Sequence, residues 1–126
     1  MSSRKTGATG SRTPSKNDSI ALFDLLSYAA HVKAILIGHT HRNRIRRYER
    51  AGAMPFVEVN NPKDYPGGFA HYRLFEDGSF QQEVRRTPSR RALLHSTRCR
   101  VLFQGGYQHF ALGTLEERSY GVEARA

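Results

Sequence analysis

The feature that most constrains the fold is a short apolar run, Val32 to Ile37 (VKAILI), that stops at Gly38. It is partly β-branched and reads as a buried strand. Just before it, Ile20, Leu22, Phe23, Leu25, Leu26 and Ala29 have the spacing of one face of a short helix. Asp18 or Ser19 is the expected N-cap, and the helix is expected to run to about Ala30. A helix, a short link and a buried strand are the signature of the α/β class.

The chain has 126 residues, enough for one small domain with a modest core. Its hydrophobic fraction of 38% and mean hydropathy of −0.62 are low for a compact domain. They suggest a folded middle with loose ends, or a piece of something larger. Residues 1–17 are rich in Ser, Thr, Gly, Lys and Arg and are expected to form a disordered basic tail. Residues 18–126 are the expected folded part.

Beyond Gly38, Arg44–Arg50 reads as an exposed strand, AGAMP as a turn and Phe56–Val59 as another strand. Residues 60–68 (NNPKDYPGG) read as a loop. Phe69–Phe75 and Phe80–Arg86 flank Asp77-Gly78, a strong hairpin signal. Pro88 is expected to open a helix that Gly105-Gly106 ends.

The net charge is +9 and the isoelectric point about 10.3. Such a chain attracts phosphate, nucleic acid or an anionic surface. The basic residues are spread over every segment, however, which favours a merely solvated surface. Cys99 is the sole cysteine, so an internal disulfide and a Cys-based zinc site are both excluded. A lone thiol suits a reducing compartment. No secretory leader and no stretch long enough to span a membrane is legible. A cytoplasmic location without membrane contact is the expectation.

The chemistry is concentrated in Gly38-His39-Thr40-His41, directly after the apolar strand. Ligand sites in open α/β sheets lie beyond the carboxyl ends of strands. Gly38 lets the backbone turn where a Cβ would clash. Two histidines one residue apart can direct two imidazoles to neighbouring positions, and neutral imidazole is a frequent ligand for zinc, iron or nickel. Chance pairs of this kind are common and are usually solvated side chains.

The block ILIGHTHRNRI, residues 35–45, resembles the final Gly-His-x-His signature of calcineurin-like metallophosphoesterases. Residues 55–80 are similar to the segment after that block in some bacterial members, so the resemblance covers roughly residues 19–120. It implies a four-layer αββα sandwich, of which this chain would be an incomplete C-terminal portion. It also implies two divalent ions, commonly Mn, Fe or Zn, acting on a phosphate ester. Carried over residue by residue, His41 would ligate the first metal and His39 the second, with Thr40 as spacer. Arg42 and Asn43, next to the site, are candidates for touching substrate.

The family's Asp-x-His, Gly-Asp-x-x-Asp and Gly-Asn-His blocks have no counterpart here, and no His precedes His31. Two close divalent ions repel strongly and need carboxylates to neutralise them. Two imidazoles bring no negative charge, and Arg42, Arg44, Arg46 and Arg47 stand nearby in sequence. The expectation is weak binding of a single ion, no catalytic residue in this chain, and activity only when joined to an upstream-encoded half of the domain. The alternative is a small basic nucleic-acid-binding module. Against it stands the lack of a helix-turn-helix cue, zinc-finger spacing or an aromatic-basic stacking pattern.

The remaining polar residues read as structural or solvated. Lys63 and Asp64 are expected to be ordinary loop charges, with phosphate orientation as the functional option. His71 reads as an outward strand residue, His95 and His109 as structural or solvated, and Glu116 and Glu117 as a surface pair. Cys99, beside Arg98 and Arg100, has no base to mark it as a nucleophile. The cluster Arg85, Arg86, Arg90 and Arg91 could meet a phosphate backbone, but a solvated charged face is the commoner outcome.

Overall fold

The computed structural model describes residues 15–122 and is mixed α/β, with two three-stranded sheets and several helices. The tail expected over residues 1–17 lies, as far as residue 14, outside the described residues. Its inner boundary is corrected, because helix α1 (Lys16–Tyr28) already starts there. Ser15, not Asp18 or Ser19, is the cap. Its hydroxyl accepts from the Asp18 amide at 3.2 Å, and the Asp18 carboxylate accepts from the Ser15 amide at 2.8 Å. This capping box satisfies two helix-end donors at once. The same bonds hold the Asp18 carboxyl below its ordinary range.

The first sheet contains β1 (Ile35–Ile37), β2 (Arg44–Tyr48) and β3 (Met54–Glu58), in the order β1-β3-β2. β1 runs parallel to β3, with Ile35 opposite Phe56 and Ile37 opposite Glu58. β2 is antiparallel to β3. A short 3₁₀ turn, Glu49–Ala51, carries the chain between β2 and β3. α1 covers one face of this sheet. Leu26, Ala51, Met54 and Phe56 form the core there, with Phe23, Val32, Ile35, Ile37 and Tyr48 packed against it. Phe23 stacks on Tyr48 at 4.8 Å, and both meet the edge of Phe56. Such aromatic pairs add about 1 kcal/mol each beyond the area they bury.

The expected strand Val32–Ile37 is corrected in two respects. Only Ile35–Ile37 pairs, and it lies at the sheet edge rather than between neighbours. Alternation turns Ile35 and Ile37 toward α1, while Leu36 on the other face is 52% exposed.

The second sheet has the order β4 (Gly68–Leu74), β5 (Phe80–Arg86), β6 (Ser119–Val122), antiparallel throughout. The hairpin at Asp77-Gly78 is present, with Leu74 opposite Phe80. Gly68 is required by sterics, because a Cβ there would run into the Arg85 carbonyl oxygen.

The single helix expected between Pro88 and Gly105 is corrected to α2 (Arg90–Ser96), capped by Ser89, and a 3₁₀ turn, Thr97–Cys99. Phe103, Gln104 and Gly105 then all take positive φ, which no helix tolerates. A separate helix α3 (Gly106–Leu112) comes next, and then a single turn, α4 (Leu115–Arg118). Glu117 is more than half of a surface pair. One of its carboxylate oxygens accepts from the Thr114 amide at 2.9 Å and the other from the Ile45 amide at 3.3 Å. It thereby ties α4 to β2. Among the described residues no helix is long and apolar enough to cross a membrane.

Candidate metal centre

The parallel pairing of β1 and β3 decides what can meet at their carboxyl ends. The chain leaves β1 through Gly38-His39-Thr40-His41 and leaves β3 through Asn60, Asn61 and the Pro/Gly loop. The two exits lie side by side, which brings together residues 23 apart in sequence. His41 Nδ1 stands 2.8 Å from Asp64 Oδ2.

Asp64 is well supported there. Its side chain is 13% exposed, and Arg98 Nη2 donates to Oδ1 at 3.2 Å. Its own amide donates to Asn61 Oδ1 at 2.8 Å, while Asn61 Nδ2 reaches back to Oδ2. Burial pushes the Asp64 carboxyl up. Hydrogen bonds from His41 and Asn61, with the charges of Lys63 and His41, outweigh it and leave the group below the ordinary carboxylate range. Asp64 is therefore ionised at neutral pH and accepts only. The His41 proton sits on Nδ1, and in the neutral ring the Nε2 lone pair is left free. Metal-ligating histidines are commonly oriented by a carboxylate in this way. The expectation that Asp64 is an ordinary loop charge is thus corrected.

His39 sits at the centre of a tight turn in the loop. Thr40 N–H donates to the Gly38 carbonyl at 2.9 Å across His39, whose φ is +74°. This is a γ-turn with a left-handed centre, a rare and strained form. His41 is also left-handed, at φ +57°. Non-glycine residues in this region cost about 1 kcal/mol or more and cluster at functional sites. Two in three residues, both histidines, mark the loop as one whose shape is set by its supports. His39 is exposed, and the His41 side chain is 43% exposed.

Arg42 and Asn43 turn elsewhere. The Arg42 guanidinium lies 3.9 Å above the Phe110 ring centroid. Asn43 is fully buried, and its amide serves the backbone. Oδ1 accepts from the Asn60 amide at 3.1 Å, and Nδ2 donates to the Leu112 carbonyl at 3.1 Å and the Ala111 carbonyl at 3.4 Å. Gly113 fits against it, since a Cβ at Gly113 would run into the Asn43 carbonyl oxygen. Asn43 thus locks both strand exits to the end of α3.

The nearby arginines are also occupied. Arg44 forms a two-pronged pair with the buried Glu58, with Nη2 2.8 Å from Oε1, and Arg46 approaches the same carboxylate at 3.8 Å. Arg47 donates to the Ala53 carbonyl. Their charges are directed along β2.

His41, Asp64, Arg98, Cys99, Leu102 and Tyr107 line a cavity of about 360 Å³. Desolvation, helped by the charge of Asp64 and opposed by that of Arg98, raises the Tyr107 hydroxyl pKa. The Cys99 thiol is buried. It donates to the Ser96 carbonyl and accepts from the Tyr65 amide, which makes it a structural strut. His95 and His109 are exposed, as expected.

Two imidazoles with one orienting carboxylate can hold a borderline ion such as zinc. Among the described residues no group of three or more His, Cys, Asp or Glu side chains gathers as a metal cage. Arg98 and Tyr107 are members of the site that sequence reasoning misses. Their distance from His41 in the chain hides them, and only the fold joins them.

Comparison with known proteins finds no family model, no curated relative and no solved structure that matches this chain.

Proposed function

We propose that the loop Gly38–His41 is one metal-ligand block of a metal-dependent phosphoesterase, with His39 and His41 as ligands and Asp64 as the carboxylate that orients His41. The observation that carries this reading is the His41 Nδ1–Asp64 hydrogen bond at the end of a parallel strand pair, beside the strained γ-turn at His39. A strand edge followed by a His-rich turn and a second, antiparallel sheet is also compatible with part of a larger αββα sandwich. A bound divalent ion would polarise a phosphoryl oxygen and lower the pKa of a bound water. His39 and His41 would hold such an ion, commonly Mn, Fe or Zn.

The described residues supply no bridging carboxylate, so a second ion and full activity require ligand blocks from an upstream-encoded half of the domain. The loop's own part is to hold two imidazoles in fixed directions. Arg98, on the far side of Asp64, donates to that carboxylate and to the Lys63 and His95 carbonyls, and so holds Asp64 toward His41.

The experiment is Mn-dependent hydrolysis of a chromogenic phosphodiester, beside metal uptake by equilibrium dialysis, for the chain and its His39→Ala variant. The expected result is uptake of a single ion that the substitution removes, with negligible turnover. Uptake of two tightly held ions would overturn the partial-site account. Equal uptake by the variant would overturn the ligand assignment.

A further inference from the structure

A row of aromatic rings meets the cavity beside His41 and Asp64 at Tyr107. Phe103 and Tyr107 have centroids 6.5 Å apart at an interplanar angle of 32°, and Tyr107 and Phe110 6.0 Å apart at 33°. Tyr107 also lines the cavity with His41, Asp64 and Arg98. The far end of the row is capped by the Arg42 guanidinium over Phe110. The rings come from positions 103, 107 and 110, one face of a helical turn, although Phe103 precedes α3. Its left-handed backbone, continued through Gln104 and Gly105, holds Phe103 at the head of the helix.

These rings are not core. Phe103 is 82% exposed and Phe110 43%. A large apolar ring held in water at that exposure forgoes about 2 kcal/mol of burial. Three tilted rings in sequence, with arginines at the flank, have the composition of a stacking platform for planar heterocycles, and cationic groups beside the rings complement phosphate. The net charge of +9 suits the same ligand. A protein partner would also cover exposed rings, but it would not call for the cations Lys63 and Arg91, unpaired among the described residues, that line the next cavity.

We infer that the ester handled at this site carries a nucleobase, stacked on Phe103 and Tyr107, with its phosphate toward Arg98 and His41. The inference rests on the phosphoesterase reading for the position of the phosphate, but not for the stacking. A free nucleotide and a single strand share this chemistry. On the other side of Arg98 a second cavity, of about 440 Å³, is lined by Lys63, Arg91 and His95. Arg98 separates the two cavities, since its Nη1 donates to the carbonyls of Lys63 and His95, both at 3.1 Å. Lys63 and Arg91 have no carboxylate partner among the described residues. A strand would place its next phosphate there.

The test is binding of 2-aminopurine riboside 5′-monophosphate to the full chain in chelator-containing buffer, read by quenching of the base. The expected result is quenching on binding, an affinity about tenfold weaker in Phe103→Ala, and little competition from ribose 5-phosphate. Phe103 is so exposed that its truncation leaves the fold intact. A 2-aminopurine hexanucleotide separates the two sources. Tighter binding that Lys63→Ala/Arg91→Ala weakens, with a steep salt dependence, identifies a strand, and no gain over the mononucleotide identifies a free nucleotide. Unchanged affinity in Phe103→Ala, or equal competition by ribose 5-phosphate, would overturn the inference and leave the rings to a protein partner. Retained quenching in His39→Ala with metal uptake lost would support the platform and the ligand assignment separately. Metal uptake without quenching would defeat the platform alone.

Discussion

Two adjoining stretches of the chain are built on opposite principles. Residues 38–41 are exposed or half-buried, carry two left-handed histidines and make few hydrogen bonds. Asn43 and Arg44, which come almost at once after them, are buried or nearly so and engage Asn60, Ala111, Leu112 and Glu58. The second stretch is what allows the first. A strained turn persists only where its surroundings determine it, and the Asn43 lock pins the chain a few residues beyond His41. The histidine loop is a strained shape clamped between β1 and a polar anchor.

That contrast can be broken most severely at the anchor. Glu58→Ala removes the partner of a half-buried guanidinium and is expected to cost about 3 kcal/mol, the low end for breaking a buried pair, measured by urea unfolding. Asn43→Ala removes the side-chain partner of the buried Asn60 amide and of the Leu112 carbonyl, while the Ala111 carbonyl keeps the Asn43 backbone amide. It should cost about 2 kcal/mol and also weaken metal uptake, although Asn43 touches no ion. Normal uptake in a folded Asn43→Ala protein would separate the two stretches and refute the clamp.

At the loop the sign reverses. His39→Gly removes a ligand but relieves the positive φ. It is expected to stabilise the protein by about 1 kcal/mol while abolishing metal uptake. A destabilised variant would mean that the turn carries no strain.

The smallest effect concerns pH. The Asp64 carboxyl is held below its ordinary value in the folded chain. Its contribution to stability is therefore present above the unfolded pKa, near pH 4, and is lost as pH falls through the folded value. Asp64→Asn should flatten the acid limb of stability against pH relative to the wild type. An unchanged limb would show that other carboxylates dominate it.

Much of this fold was legible in local signals. The capped apolar helix, the strand stopping at Gly38 and the Asp77-Gly78 hairpin all leave marks within a few residues. The errors fell where tertiary context decides. Ser15 competed with Asp18 for the cap, and the chain placed Asp18 three positions into the helix, where its carboxylate answers the cap. Leu36 belongs to a mostly apolar run, yet about half of its surface stays exposed. The helix after Pro88 tightened into a 3₁₀ turn after Ser96, and three successive left-handed residues then separate it from α3, a conformation that Phe103 and Gln104 do not advertise. The histidine motif was visible because its members are neighbours. Asp64, Arg98 and Tyr107 were not, since only the parallel pairing of β1 with β3 and the return of α2 and α3 bring them to His41. The aromatic row escaped for the same reason, although the spacing of 103, 107 and 110 would have shown it had a helix been placed there.

The most direct test of the central claim is a zinc titration followed by imidazole nitrogen NMR on the full chain. Saturation at a single ion, with the His41 Nε2 and His39 resonances shifting together and the His41 Nδ1 proton staying on its bond to Asp64, is the predicted result. Zinc that leaves the His41 ring unmoved, or moves it to the Nδ1-metallated form with the Asp64 bond broken, would contradict the account.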